Sequence, residues 1–300
     1  MADSRLRPGE PALLLSAAVY GVSTIVSVVA LRTVRPVDLL VVEISGAAGL
    51  LLITAAAQGQ LRRRGALRQM LVGCLVPGLA FLLGDLGLAR TSASSGSLLL
   101  AADPLLSVLL AIVVLRERLA VGLIGAALVT VRPDGSAGSD TVLGNVLVLL
   151  AVAASAAYLV ATRRLNGEDD GLNASAWQAV GGALGVAPFV VASWSAGGSR
   201  LGAAGFAGWL ACLAVLVCGA LGSVLFNRGI GSVPAARAAQ LGNLTPVIGT
   251  LTAIVFLGDR PSPLQVVGGF AILGGIALLL RGPEPHSRRS IDEQSHVTVL

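Results

Sequence analysis

Ionisable and amide side chains are rare inside the apolar stretches of this 300-residue sequence, so each one there is a candidate for chemistry. A charge at the centre of a bilayer costs from about 2.5 kcal/mol upwards and needs a partner, water or a function. Such groups can bind a proton, a cation or a polar solute. The predicted substrate-binding or coupling residues are Asp103, Glu43, Asp85, Gln240, Asn243 and Arg237.

Asp103 directly precedes Pro104 near the middle of an apolar run. Proline removes a backbone hydrogen-bond donor and loosens the helix around it. A carboxylate beside freed carbonyl groups either binds a cation, a proton or an amine, or is a neutral carboxyl bonded to a neighbouring helix. Pro246 is the equivalent predicted helix break later in the chain. Gln240 and Asn243, shortly before it, either hydrogen-bond a substrate or hold helices together.

The other polar candidates fall nearer the ends of apolar runs. Glu43 and Asp85, together with Asp38, are expected towards the outer side of a membrane, where they form an acidic approach to a cavity or serve as structural residues. Arg237 either snorkels to the headgroups, pairs with a buried acid or holds an anionic substrate group. Asn227 is expected at the membrane interface.

Composition identifies the medium that surrounds these groups. The chain is 55% hydrophobic and only 12% charged, with a mean hydropathy of +0.84, whereas a soluble domain carries about 25% charged residues. It has too little polar surface to coat a soluble core. This excludes a soluble enzyme, a nucleic-acid-binding protein and a disordered chain, and favours a polytopic protein whose partner is the lipid bilayer.

The residues needed for catalysis or metal binding are absent from the predicted spans. All 21 basic residues are Arg, so Lys chemistry is excluded. The two histidines, His286 and His296, lie in a polar tail, and Cys74, Cys212 and Cys218 form no CxxC pair. Without a His or Cys cluster and without a phosphate-binding loop, we expect no catalytic residue, no metal and no cofactor.

A membrane-spanning helix needs about 20 mostly apolar residues. The sequence predicts an all-α integral membrane protein whose ten transmembrane helices form two inverted five-helix repeats. With the N-terminus inside, 14 arginines fall in inner segments and 6 in outer loops, which places both termini in the cytoplasm of a bacterial cell. The predicted spans are 11–31, 38–57, 70–89, 95–115, 119–132, 142–162, 173–194, 207–228, 234–257 and 264–281.

An internal repeat divides the chain. Residues 104–118 read PLLSVLLAIVVLRER, and residues 246–260 read PVIGTLTAIVFLGDR, with seven of fifteen positions identical. Each copy closes the fourth span of a five-span half, and five is odd, so the second half starts from the opposite membrane face. Inverted repeats are a recurrent plan of transporters. We predict a cytoplasmic N-terminus 1–10, repeats 11–132 and 142–281, a linker 133–141 and a disordered cytoplasmic tail 282–300.

The repeated pattern resembles the EamA-type family of the drug/metabolite transporter superfamily. It appears as SASSGSLLLAADPLLSVLLAIVVLRER and as SVPAARAAQLGNLTPVIGTLTAIVFLGDR, and Tyr20, Gly21 and Pro36 also fit the family pattern. The resemblance implies a ten-helix arrangement and membrane transport. The family often has an Arg early in its second helix, where this chain has Glu43.

These features predict a secondary transporter or facilitator that moves small polar metabolites across the cytoplasmic membrane by alternating access. The acidic approach favours amino acids or amines as substrates, with efflux as the direction and protons as a coupling ion. The alternative is a membrane scaffold or a non-transporting subunit of another membrane complex. A membrane enzyme acting on lipids is disfavoured because the spans contain neither His nor Lys.

Overall fold

The structure is a computed structural model that describes four long stretches of the chain and several isolated positions. The stretches are 9–91, 141–165, 171–233 and 244–258, and the isolated positions are 95, 99, 238, 241, 242, 260, 263, 266, 267, 270 and 274. Five predicted site residues lie outside these: Asp103, Pro104, Arg237, Gln240 and Asn243. The fifth predicted span and most of the fourth and tenth also lie outside.

The described stretches fold into helices and contain no strand. Five of the helices are long and apolar enough to cross a membrane, and two more contain shorter apolar segments. The bounds of the first six agree with the predicted spans to within about four residues, and the seventh ends at Leu257 as predicted. The ten-helix count stays a prediction. The helices are α1 (Glu10–Ala30), α2 (Pro36–Ala57), α3 (Ala66–Leu88), α4 (Val142–Leu165), α5 (Gly171–Gly197), α6 (Gly205–Ile230) and α7 (Leu244–Leu257).

One proline starts a helix and another interrupts one. Pro36 stands at the first position of α2, where its missing N–H costs nothing and its fixed φ suits a helix start. Pro77 lies inside α3, where the segment Cys74–Leu79 is π-helical and Val76 leaves helical geometry with φ −138° and ψ 122°. A proline removes one helical hydrogen bond and crowds the preceding turn. The interruption brings an irregular stretch of backbone into the middle of a span.

Contacts between loops and helix ends define two opposite ends of the bundle. At the first, which we call the arginine-rich end, the 58–65 loop meets α5: the Arg62 amide donates to Asn173 Oδ1 (2.8 Å), and Trp177 Nε1 donates to the Arg62 carbonyl (2.8 Å). At the other, the Arg35 end, Arg35 Nη1 donates to the Gly198 carbonyl (2.9 Å).

The two ends show the directions in which α1 and α4 run. α1 begins at the arginine-rich end, where Gly9 packs beside Gly229. α4 begins at the opposite end of the bundle, where the Thr141 amide donates to the Arg90 carbonyl (2.8 Å) after the end of α3. α1 and α4 therefore start from opposite ends of the bundle.

Helices from the early and the late parts of the chain pack against one another. α1 packs against α6 and α7, α2 against α5 and α6, and α3 against α4 and α5. Glycine makes the α3–α5 contact close: a Cβ added at Gly181 would lie 1.9 Å from the Met70 carbonyl oxygen, and one at Gly73 would lie 2.0 Å from the Gln178 carbonyl oxygen.

The outward faces of the helices are apolar. Ile53, Val191 and Phe256 are each at least 66% exposed although they lie within helices of strongly apolar sequence. A soluble protein rarely exposes contiguous apolar surface of this kind, whereas lipid-facing helices require it. The chain is a multi-pass membrane protein.

Candidate substrate cavity

A cavity of about 300 Å³ lies between the helices, lined by residues from α1 to α7. Its wall contains serine and threonine hydroxyls, two tyrosines, Gln178 and two carboxyls, set among small aliphatic side chains. None of the described residues that line it is an Arg or a His. Its volume is at the small end of the range for ligand sites, and it suits a small polar molecule.

Glu43 and Asp85 are the two carboxyls in this cavity. They come from α2 and α3 and are only 6% and 5% exposed. They are close enough to interact electrostatically. Asp85 Oδ2 has no hydrogen-bond partner in the described part of the chain. Since buried polar atoms nearly always have a partner, this oxygen is free to receive a ligand, a water molecule or a proton.

Asp38 does not share this environment. The residue is buried, but it does not line the cavity. Its carboxylate accepts hydrogen bonds from Trp194 Nε1 (2.9 Å), Ser199 Oγ (3.1 Å) and the Arg200 amide (3.0 Å). Asp38 therefore ties the start of α2 to the α5–α6 connection. Of the three carboxyls expected near a cavity, Glu43 and Asp85 line it and Asp38 does not.

A hydrogen-bonded group of amides and hydroxyls lies towards the arginine-rich end. We call it the amide network, and three of its members, Tyr158, Ser175 and Gln178, also line the cavity. Gln178 Oε1 accepts from the Tyr158 hydroxyl (2.9 Å) and from Asn227 Nδ2 (3.0 Å), and its Nε2 donates to Gln69 Oε1 (2.9 Å). Asn227 Nδ2 also donates to Ser175 Oγ (2.9 Å). The network joins α3, α4, α5 and α6.

Asn227 lies near the end of α6, and the structure adds that it is enclosed by protein. It is only 4% exposed, because its amide is surrounded by the network. The sequence did not indicate this enclosure, since distance along a helix does not report what packs beside it. Tyr158, Ser175, Gln178 and Gln69 were not predicted as site residues. Their signal, polar side chains within apolar runs, was the one that identified Glu43.

Glycines on α6 shape the space beside Glu43 and Tyr20. Gly219 lines the cavity, and Glu43 Oε1 lies 3.5 Å from the position that a Cβ at Gly219 would occupy. One turn later, a Cβ at Gly222 would lie 2.9 Å from the ring of Tyr20. The Ser16 hydroxyl donates to the Gly222 carbonyl (2.8 Å), which fastens α1 to α6. Tyr20 can therefore stand against the α6 backbone and face the cavity.

Most of the other predicted site residues belong to the region around Pro246. Pro246 lies within α7. Ala238, Gly242 and Thr245, from the same part of the sequence as Arg237, Gln240 and Asn243, line the cavity. Among the described residues, no group of three or more His, Cys, Asp or Glu side chains gathers to hold a metal ion.

Comparison with known proteins gives a relative and a fold. The chain is 28% identical over 242 residues to a "Probable terminal-alkyne amino-acid exporter" of Streptantibioticus cattleyicolor, and the match covers 77% of this chain and 79% of that protein. A solved crystal structure, described only as that of a protein, matches with a TM-score of 0.62 at 18% identity. It covers 92% of this chain and 98% of its own. This second likeness shows the fold.

A family model gives the identity of the chain. The model described as "EamA-like transporter family" matches twice, at residues 7–131 and at residues 142–281. Together the two matches take in most of the sequence, including the helices that line the cavity. The chain belongs to the EamA-like transporter family.

Proposed function

We propose that this protein is a secondary transporter that exports small ammonium-bearing metabolites of the amino-acid or amine class across the cytoplasmic membrane. The mechanism is alternating access. The single observation that carries the proposal is the pair of buried carboxyls, Glu43 and Asp85, in one cavity between helices of the two family matches.

The charge of the cavity favours a cation. Two carboxyls and no Arg or His stand among its described lining residues. A carboxylate removed from water is costly unless an opposite charge or hydrogen bonds compensate it. An ammonium group supplies both, because it carries a positive charge and three N–H donors. A cargo ammonium would bind between α2 and α3 with its body against the aliphatic wall.

The relative supports the amino-acid class and the outward direction. Its printed name states that it is a probable exporter of a terminal-alkyne amino acid. The match covers more than three quarters of both chains. An α-amino acid has the ammonium group that the carboxyls favour, and it is small enough for a cavity of about 300 Å³.

The opposite starting ends of α1 and α4 support an inverted arrangement of the two halves. In the proposal, repeats 11–132 and 142–281 are inverted five-helix units, and the arginine-rich end faces the cytoplasm. Asp103, Arg237, Gln240 and Asn243 remain proposed binding or coupling residues, with Pro104 and Pro246 as helix breaks. An inverted pair supplies two related states, one open to each side.

Protons are the proposed coupling ion. A proton and an ammonium group neutralise the same carboxyls, so each lowers the occupancy of the other. If the carrier returns only when protonated or loaded, export of cargo is exchanged for entry of protons. An imposed inward proton gradient is then expected to drive cargo uphill, and an ionophore that collapses the gradient is expected to stop accumulation.

The test uses the purified full-length protein in liposomes. A ligand-induced thermal-shift screen first ranks amino acids, alkyne-bearing amino acids and amines, since a ligand that binds the native state raises its apparent stability. The best ligands are then followed as labelled cargo in exchange assays. We expect saturable flux that responds to the proton gradient. Correctly folded protein that moves none of the panel would contradict the proposal.

A further inference from the structure

We propose that Gly219 determines specificity: its missing side chain leaves the space beside the Glu43 carboxyl that admits substituents on the ammonium group of the cargo. The inference rests on the proposed function and deepens it. It extends the cargo class from primary amines to N-alkylated amines and amino acids.

The space next to Gly219 in the cavity wall is not filled by a side chain of the described residues. Gly219 lies on α6, is buried and lines the cavity. Among the described residues, a Cβ placed there would meet only Glu43, at 3.5 Å from Oε1 and 3.9 Å from Cγ, both ordinary van der Waals distances. A methyl group therefore fits without a clash, and it occupies space next to the oxygen that would hold the cargo.

Other glycines in the same helices have different surroundings. A Cβ at Gly222 would lie within 2.9–3.1 Å of the Tyr20 ring, and one at Gly46 would lie 2.1 Å from Leu216 Cδ1. Those two positions are glycine because a neighbouring side chain fills the space. A Cβ at Gly49 would have no atom of the described residues within 4 Å. At Gly219 the vacant space faces a cavity carboxyl, so packing against the described part of the chain does not explain the glycine.

Alanine at Gly219 is expected to reduce binding space without reducing stability. Glycine within a helix is less favourable than alanine by about 1 kcal/mol. One methylene in a pocket changes discrimination between substrates by about 10–200-fold. The effect on a cargo therefore depends on what that cargo places beside Glu43.

The experiment compares an alkyne-bearing α-amino acid with its N-methyl and N,N-dimethyl derivatives in liposome exchange. Wild-type protein is expected to move all three with KM values within a few-fold of one another. Gly219→Ala is expected to raise the ratio of the dimethyl KM to the parent KM by about tenfold or more. Gly219→Ser is a second variant with the same expected direction.

Gly49→Ala is the matched control, because it adds the same methyl group to an open position, and its KM ratio is expected to equal that of wild-type protein. Stable Gly219 variants with an unchanged ratio would overturn the inference while leaving the proposed function standing. Wild-type protein that moves the parent amino acid but rejects both derivatives would do the same. Wild-type protein that moves none of the three compounds, nor any other member of the panel, would overturn the proposed function and the inference together.

Discussion

The carboxyl pair and the amide network are both buried polar groups in one cavity wall, yet their hydrogen bonding differs. In the network, Gln178 accepts hydrogen bonds at its side-chain oxygen and donates one from its amide group, and the Asn227 amide group donates to two side chains. In the carboxyl pair, Asp85 Oδ2 lacks a partner within the described residues. Burial alone therefore does not distinguish residues that bind a ligand from residues that hold the helices together.

The difference separates structural from ligand-binding roles. A satisfied network fixes the relative positions of the helices that contribute to it, and breaking it leaves several buried groups unpaired. A carboxyl without a partner destabilises the empty protein and is stabilised when cargo or a proton arrives. We therefore expect changes in the pair to alter transport and changes in the network to alter stability.

The largest expected effect is on transport by the double variant Glu43→Gln, Asp85→Asn. A hydrogen bond to a charged group contributes about 1.5–3 kcal/mol, so losing both carboxyls is expected to reduce cargo exchange in liposomes more than a hundredfold. The melting temperature should stay the same or rise, because the amides carry a smaller desolvation cost. A double variant that exchanges cargo as fast as wild-type protein would show that the carboxyl pair is not needed for transport.

The next effect is on stability and concerns Asn227→Leu. This change removes the donor to Ser175 and Gln178 and leaves their buried oxygens less satisfied. Each such loss costs about 1–3 kcal/mol, so a clear fall in melting temperature is expected in detergent. The KM of the folded fraction for cargo should change less than threefold. A large KM increase at unchanged stability would assign the network to binding instead.

A smaller effect is expected for Asp38→Asn. The amide can still accept from Trp194 and Ser199, but its NH2 group opposes the Arg200 amide that donates to Oδ2. We expect a loss of about 1–2 kcal/mol in stability and no change in the KM for cargo. This variant is a chemical match for Asp85→Asn outside the cavity. Equal transport defects in the two variants would mean that the carboxyl pair has no special role.

The sequence predicted the helices and the two carboxyls because each depends on local information. Apolar runs of sufficient length predict spans, and Glu43 and Asp85 interrupt such runs. Glu43 and Asp85 face the same cavity because of the rotation of α2 and α3 about their own axes. These helices are apolar on every face, so the sequence does not show which face points into the bundle.

The amide network could not be predicted for a related reason. Tyr158, Gln178 and Asn227 lie 20 and 49 residues apart along the chain, and nothing local pairs them. Pro77 was visible in the sequence as a proline inside an apolar run, yet its place in the cavity wall depends on the α3–α5 contact. Local patterns thus identified polar residues, whereas tertiary packing decided which of them met.

The most direct measurement is the affinity of purified protein for the best-ranked ammonium-bearing ligand, by isothermal titration, in wild-type protein, Asp85→Asn and Asp38→Asn. The account predicts that Asp85→Asn weakens binding by about tenfold or more, while folded Asp38→Asn binds as wild-type protein does. Wild-type affinity in folded Asp85→Asn would contradict the claim that the cavity carboxyls hold the cargo.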